Sequence, residues 1–242
     1  MIRVAAVGDV HLGLDSAGTL APHLQHLGER ADLFLIAGDL TKHGDPAEAA
    51  VLAAELRDVS VPIVCVLGNH DYHCDAEDVV RKVMEDAGVT VLECEHAVYE
   101  LDGVSVGVAG TKGFGGGFPG ASAADFGEPE MKAFVSHGRR MGAGLEEQLD
   151  AMDVDIKIAL THFAPVEETL QGERLEIYPF LGSYFLAEAI DRAGADVAFH
   201  GHAHLGTEKG RTPGGVPVRN VAQPVIQHAY KIYCVGGDEV DT

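Results

Sequence analysis

The sequence predicts an α/β fold. Short, continuously apolar runs alternate with helix-like segments over the first 90 residues. Glycine, proline and capping residues punctuate the joins. Five apolar runs end in side chains able to bind a metal or a phosphate, as expected where ligands sit at the carboxyl ends of the strands of an open α/β sheet.

The elements follow in order. Residues 2–7, 32–37 and 62–67 are too continuously apolar to be half-exposed and read as strands covered on both faces. Residues 19–30, 46–58 and 76–87 read as helices. Asp45-Pro46-Ala47-Glu48 has the form of a helix start, with Asp45 as N-cap, Pro46 in the first turn and Glu48 reaching back to the cap. Gly88 closes the third helix. Such β-α-β repetition predicts parallel strands with right-handed crossovers. The second half changes character. Residues 96–109 alternate around Asp102-Gly103, a tight hairpin signal. Strands are expected at 155–161 and 196–200, with a helix at 183–193 ending near Gly194. A second hairpin is expected around Pro213-Gly214-Gly215, with strands at 216–222 and 230–235. Two long loops remain. Residues 110–120, GTKGFGGGFPG, lack the ending of a P-loop, and 163–182 are too long for a simple connection. Each reads either as mobile surface or as a wall of a substrate pocket. No repeat or linker interrupts the chain, so residues 1–242 are expected to form one domain.

Composition narrows the function classes. With 46% hydrophobic residues, the 242-residue chain can build a sizeable core. It has no run near the roughly 20 apolar residues that span a bilayer, so no membrane partner is expected. The start runs directly into a strand-like segment without a leader pattern, so the expected location is cytoplasmic. The four cysteines show no C-x-x-C pairing and read as free thiols. The net charge is −21, from 38 acidic against 17 basic residues. Such a surface repels long polyanions, so duplex nucleic acid is not an expected partner. An acidic surface with seven lysines also suits high intracellular salt, where repulsion is screened.

The first strand runs into Gly8-Asp9-Val10-His11, the second into Gly38-Asp39 and the third into Gly68-Asn69-His70-Asp71. Residues 155–161 lead to His162, and 196–200 lead to Gly201-His202-Ala203-His204. Each piece alone is weak, because Asp39 reads equally well as a turn residue and His162 as a satisfied strand-end histidine. All five together, at strand ends, are specific. Imidazole, carboxylate and amide donors without thiolate suit Mn²⁺, Fe or Zn²⁺.

In order and residue type, the blocks resemble the calcineurin-like metallophosphoesterase family, with its D-x-H, G-D, G-N-H-[DE], H and G-H-x-H pattern. The resemblance runs from residue 4 to about 206. It implies a four-layer α/β/β/α sandwich with two mixed sheets. It also implies two divalent metal ions, with Asp9, His11 and His204 on one, Asn69, His162 and His202 on the other, and Asp39 bridging. Direct hydrolysis by water activated between the two ions would follow. His70 is not a ligand in this pattern and is expected to donate a proton to the leaving group, with Asp71 orienting it or supporting a neighbouring ligand. His43 and His73 lie just past ligand loops and are candidate substrate contacts. His200 reads as packed or as supporting a ligand, and His23, His26, His96 and His137 as surface or helix-face residues. Lys112 and Arg211 are conceivable phosphate contacts, with a solvated charge the favoured reading. Residues 38–46 are similar to the corresponding stretch of small bacterial class III cyclic-nucleotide-type phosphodiesterases. The expected substrate is therefore a small phosphodiester, with nucleotides among the candidates. Phosphomonoesterase, phosphoprotein phosphatase and a catalytically silent metal-binding scaffold are the alternatives.

Overall fold

The computed structural model describes residues 1–237. In chain order its elements are β1 (Ile2–Val7), α1 (Ala21–Leu24), α2 (Leu27–Arg30), β2 (Leu33–Ala37), α3 (Pro46–Leu56), β3 (Ile63–Val66), α4 (Glu77–Asp86), β4 (Thr90–Val91), β5 (Glu95–Leu101), β6 (Val104–Thr111), β7 (Gly117–Phe118) and β8 (Ala121–Ser122). There follow α5 (Pro129–Asp150), β9 (Ile156–Thr161), α6 (Tyr178–Leu181), α7 (Tyr184–Ala193), β10 (Val197–His200), β11 (Lys209–Arg211), β12 (Pro217–Asn220), α8 (Gln223–Ile226) and β13 (Lys231–Val235).

Two large mixed sheets face each other. One has the order β13-β1-β2-β3-β4, parallel except for β13, and the other the order β11-β12-β10-β9-β6-β5. Strand alternation explains the layering. Ile2, Val4, Ala6, Leu33 and Leu35 of the first sheet pack on Val106, Val108, Ile158 and Phe199 of the second. The opposite face of the first sheet takes Leu52 and Leu56 of α3 and Val80 and Met84 of α4. The outer face of the second takes Leu145 and Leu149 of α5 and Leu186 and Ile190 of α7. The result is the α/β/β/α order. Among the described residues no helix is long and apolar enough to cross a membrane.

Several expectations change in detail. Residues 19–30 form two four-residue helices, and His26 leaves helical geometry between them. Gly28 there abuts Ser60, whose hydroxyl a Cβ would displace. Asp45 caps α3 through the Ala47 N–H, but Glu48 reaches past the cap to the His43 N–H at 2.7 Å and ring nitrogen at 2.8 Å. The second hairpin joins β11 to β12, whereas β13 crosses to the first sheet and pairs with β1.

The 22-residue α5 has no counterpart among the elements read from the sequence. Its buried stripe is Val135, Gly138, Gly142, Leu145 and Leu149, a three-four spacing in which two positions are glycine. These glycines allow close approach: a Cβ at 138 would meet the Gly115 carbonyl at 2.6 Å, and one at 142 the Phe185 carbonyl at 2.8 Å. The glycine-rich segment is accordingly buried from 110 to 118 apart from half-buried Phe114, and is not a surface loop.

Candidate metal centre

The site forms where β1, β2, β3, β9 and β10 end together. Gly8 packs against Ala37 and Gly201, where a Cβ would lie 3.2 Å from each. The first two ligand loops run side by side: the N–H groups of Asp9, His11 and Leu12 donate to the carbonyls of Gly38, Asp39 and Leu40 at 3.0 to 3.1 Å. Four of the seven expected ligands have left-handed backbone, with φ of 58° at Asp9, 43° at His11, 50° at Asp39 and 69° at His202. Such geometry is uncommon outside glycine and costs energy that the surrounding structure must supply.

Three donor groups result, each with ligand atoms within 4.8 Å of one another: Asp9, His11 and His204; His11, Asp39 and His70; and Asp39, His162 and His202. Asp39 is the hub. Its Oδ2 lies 3.6 Å from His11 Nε2 and 3.9 Å from His70 Nε2, and its Oδ1 lies 3.3 Å from His162 Nε2. Asn69 joins through Oδ1, 2.9 Å from His162 Nε2. His204 Nε2 lies 2.9 Å from Asp9 Oδ1, and the Asp9 carboxylate also accepts the His202 backbone N–H.

The donors fit divalent cations. His162 Nδ1 lies 2.9 Å from the Ala37 carbonyl, which can only accept. Its ring proton is therefore placed there, and the Nε2 lone pair faces Asn69 Oδ1 and Asp39 Oδ1. Three electron-pair donors turned toward one another are satisfied by a cation. His202 donates through Nε2 to the Phe180 carbonyl at 3.3 Å, leaving Nδ1 as its ligand atom. Burial pushes the His202 pKa down to about 3, so the ring is neutral as ligation requires. The hydrogen bond to Asp9 raises the pKa of His204.

His70 stands at the rim with its side chain 44% exposed. Its backbone N–H donates to Asp39 Oδ1 at 2.8 Å, and its Nδ1 donates to the Lys42 carbonyl at 2.9 Å, which leaves Nε2 on the Asp39 side. Asp71 makes no hydrogen bond to that ring. Fully buried, it accepts the N–H groups of Leu40, Thr41 and Gly68 and the Thr41 hydroxyl at 2.6 to 3.1 Å, tying the Asp39 loop to the Asn69 loop. Burial, opposed by these bonds and reinforced by Asp39, raises its pKa. His43 turns to Glu48, and His73 is exposed at the end of the turn His70–Tyr72; neither belongs to a donor group. His200 is buried between the Gly201 carbonyl and the Thr169 hydroxyl, as a packed residue should be. Half-buried His137 packs edge-on against Phe114.

Lys112 differs from expectation. Its side chain is largely buried, 8% exposed, with Tyr72, Phe114 and Phe163 around it. Its position at the end of β6, the strand beside the one leading to His162, was the available signal, since every other residue of the site also follows a strand end.

Two facing sheets with histidine and aspartate donors gathered at their strand ends define a candidate metal-binding protein of the α/β/β/α class. The chain belongs to the calcineurin-like phosphoesterase family, whose model matches residues 2–206. That family performs metal-dependent phosphoester hydrolysis with dinuclear centres. None of the functionally curated proteins matches the sequence. Among solved structures, the phosphopantetheinyl hydrolase of Mycobacterium tuberculosis superposes with a TM-score of 0.69 at 16% identity, covering 93% of this chain and 90% of that one. A putative 5′-nucleotidase from Staphylococcus aureus, solved with alpha-ketoglutarate, gives 0.59 at 18% identity, covering 90% of this chain and 48% of that one. The protein TT1561 of Thermus thermophilus gives 0.54 at 17% identity, over 90% and 88% of the two chains. At these identities the likeness is one of fold.

Proposed function

We propose that the protein hydrolyses a small phosphodiester at a dinuclear metal centre. The observation that carries the reading is the sharing of Asp39 between two donor groups, one containing His11 and the other His162 and His202. In this reading Asp9, His11 and His204 hold one ion, Asn69, His162 and His202 the other, and Asp39 serves both. When bound, the ions supply activation of water and neutralisation of phosphoryl charge.

The remaining steps belong to the chain. Lys42 fixes the His70 ring by accepting its Nδ1 proton, so the ring passes a proton from Nε2 to the departing oxygen in its doubly protonated, imidazolium form. Asp71 keeps two ligand loops in register from beneath. The preference for a diester rests on the Gly38–Pro46 stretch, similar to that of small phosphodiesterases. Monoester hydrolysis is the second reading. Lys112 favours it, because a dianionic phosphoryl group gains more than a monoanion from an added cation.

Paired chromogenic esters separate these readings. Metal-stripped protein resupplied with Mn²⁺ should cleave bis-(p-nitrophenyl) phosphate faster than p-nitrophenyl phosphate, and Asn69→Ala should lose both activities. A monoester preference would overturn the diester assignment. Absence of turnover with Mn²⁺, Zn²⁺ or Fe²⁺, despite bound ions, would favour the silent scaffold.

A further inference from the structure

Lys112 follows β6 directly. Its carbonyl accepts the N–H groups of His162 and Phe163, both at 3.0 Å, which fixes it against the strand end that supplies a metal donor. Its Nζ lies 4.4 Å from the Tyr72 ring centroid, 5.3 Å from that of Phe114 and 5.6 Å from that of Phe163. Phe163 in turn stacks against His202 at 4.4 Å, and Tyr72 closes the turn that begins at His70. The ammonium therefore lies on the Asn69–His162–His202 side of the centre.

Cation–π contact holds this ammonium but uses none of its three N–H donors. It makes no hydrogen bond to any described residue. The ammonium is not among the buried polar atoms left without a partner, so a ligand can reach it; burial of the side chain lowers its pKa, while Glu93, Asp39 and Glu77 pull it upward. The carboxylates nearby leave the head free. Glu93 accepts the Thr111 hydroxyl at 2.8 Å and the backbone N–H of Lys112 at 3.1 Å, so it holds the main chain at this point and not the side chain. Glu77 Oε2 is buried without a partner and forms no ion pair with Lys112. The chain thus positions a lysine beside the donor cluster with its hydrogen bonds unspent.

We propose that Lys112 is a substrate-anchoring residue whose ammonium takes a non-bridging phosphoryl oxygen of the substrate on the Asn69–His162–His202 side of the site. This deepens the phosphoesterase reading and rests on it. The anchor gives most to the phosphoryl group with the greatest negative charge. Removing it should therefore cost a monoester more than a diester.

Inorganic phosphate is the probe, titrated calorimetrically into Mn²⁺-loaded protein so that the readout does not need turnover. Lys112→Met keeps an unbranched chain among the three rings. It should weaken phosphate binding about 10- to 100-fold with metal content and melting temperature unchanged, and Lys112→Arg should restore part of the loss. In the same variant, kcat/KM for p-nitrophenyl phosphate should fall further than that for the bis ester. Glu77→Gln, which keeps Lys112, should leave phosphate binding unchanged or tighten it, and it provides the test if Lys112→Met does not fold. Unchanged phosphate binding in Lys112→Met overturns the proposal. So does weakened binding in Glu77→Gln, because removing a carboxylate charge beside a phosphate-binding ammonium should not loosen the phosphate. A chain that binds phosphate through Lys112 but cleaves neither ester keeps the anchor and refutes the esterase reading; ester cleavage with phosphate binding indifferent to Lys112 does the reverse.

Discussion

His70 shows how little a side chain must touch to have a defined role. Its Nδ1 proton goes to the Lys42 carbonyl, its backbone holds Asp39, and its Nε2 faces the donor cluster without closing on any single partner. His70→Ala should keep two ions per chain, read by elemental analysis, and lower kcat by about 10²–10⁴-fold. Loss of an ion instead would place His70 among the ligands, beside His11 and Asp39, where its position also allows it to bind. The gathering of the seven expected donors and His70 in one place was legible because each follows an apolar run in the chain; their roles belong to the proposal. The surroundings of Asp71 were only half legible: its place next to His70 suggested either contact with that ring or support of a neighbouring ligand, but three of its four hydrogen bonds come from a loop about 30 residues away. For Lys112 the solvated reading was favoured over phosphate contact because a lone lysine among glycines carries no sign of the three rings that surround it.

At the scale of elements, the chain uses acids to hold loops as well as metals. Glu55 of α3 is 7% exposed and accepts the N–H groups of Gly18, Leu20 and Ala21 at 2.5 to 2.8 Å, fastening the segment after the first ligand loop. Burial raises its pKa, but the three donors more than offset this, so the folded value lies below the ordinary one. Its stabilisation is therefore full above the unfolded value of about 4.3 and is lost as pH falls through the folded value. Glu55→Gln should cost about 1–2 kcal/mol at neutral pH, and urea unfolding should show the gap narrowing below about pH 4. A gap that stays constant into acid would mean that the charge is not what holds the loop. The strands were readable from continuous apolar runs, and the Asp102-Gly103 hairpin from its turn residues. Helix α5 was not, because two of its five core positions are glycine. Their contribution is room for Gly115 and Phe185, which no hydrophobic pattern registers.

Across the whole molecule, a net charge of −21 surrounds a centre built to gather cations. Self-repulsion of that size destabilises the compact state and is screened by salt. Raising KCl from about 0.1 M to about 1 M should raise the melting temperature by roughly 2–8 °C, the shift expected for about 1–2 kcal/mol in a chain of this length. A flat or falling response would show that local ion pairs outweigh the overall repulsion. The four-layer order was not derivable from periodicity, because long-range pairings such as β13 on β1 leave no local trace. It was anticipated only through the resemblance carried by the ligand motifs.

The central claim is that seven donors make one dinuclear hydrolytic site. Its most direct test adds Mn²⁺ stepwise to metal-free protein while following hydrolysis of bis-(p-nitrophenyl) phosphate, with bound metal measured at each step. Activity that rises with added metal and levels off at two ions per chain, with Asp39→Ala abolishing both binding and turnover, is the predicted result. Full activity in the metal-free protein, or a single bound ion at saturation, would contradict the account.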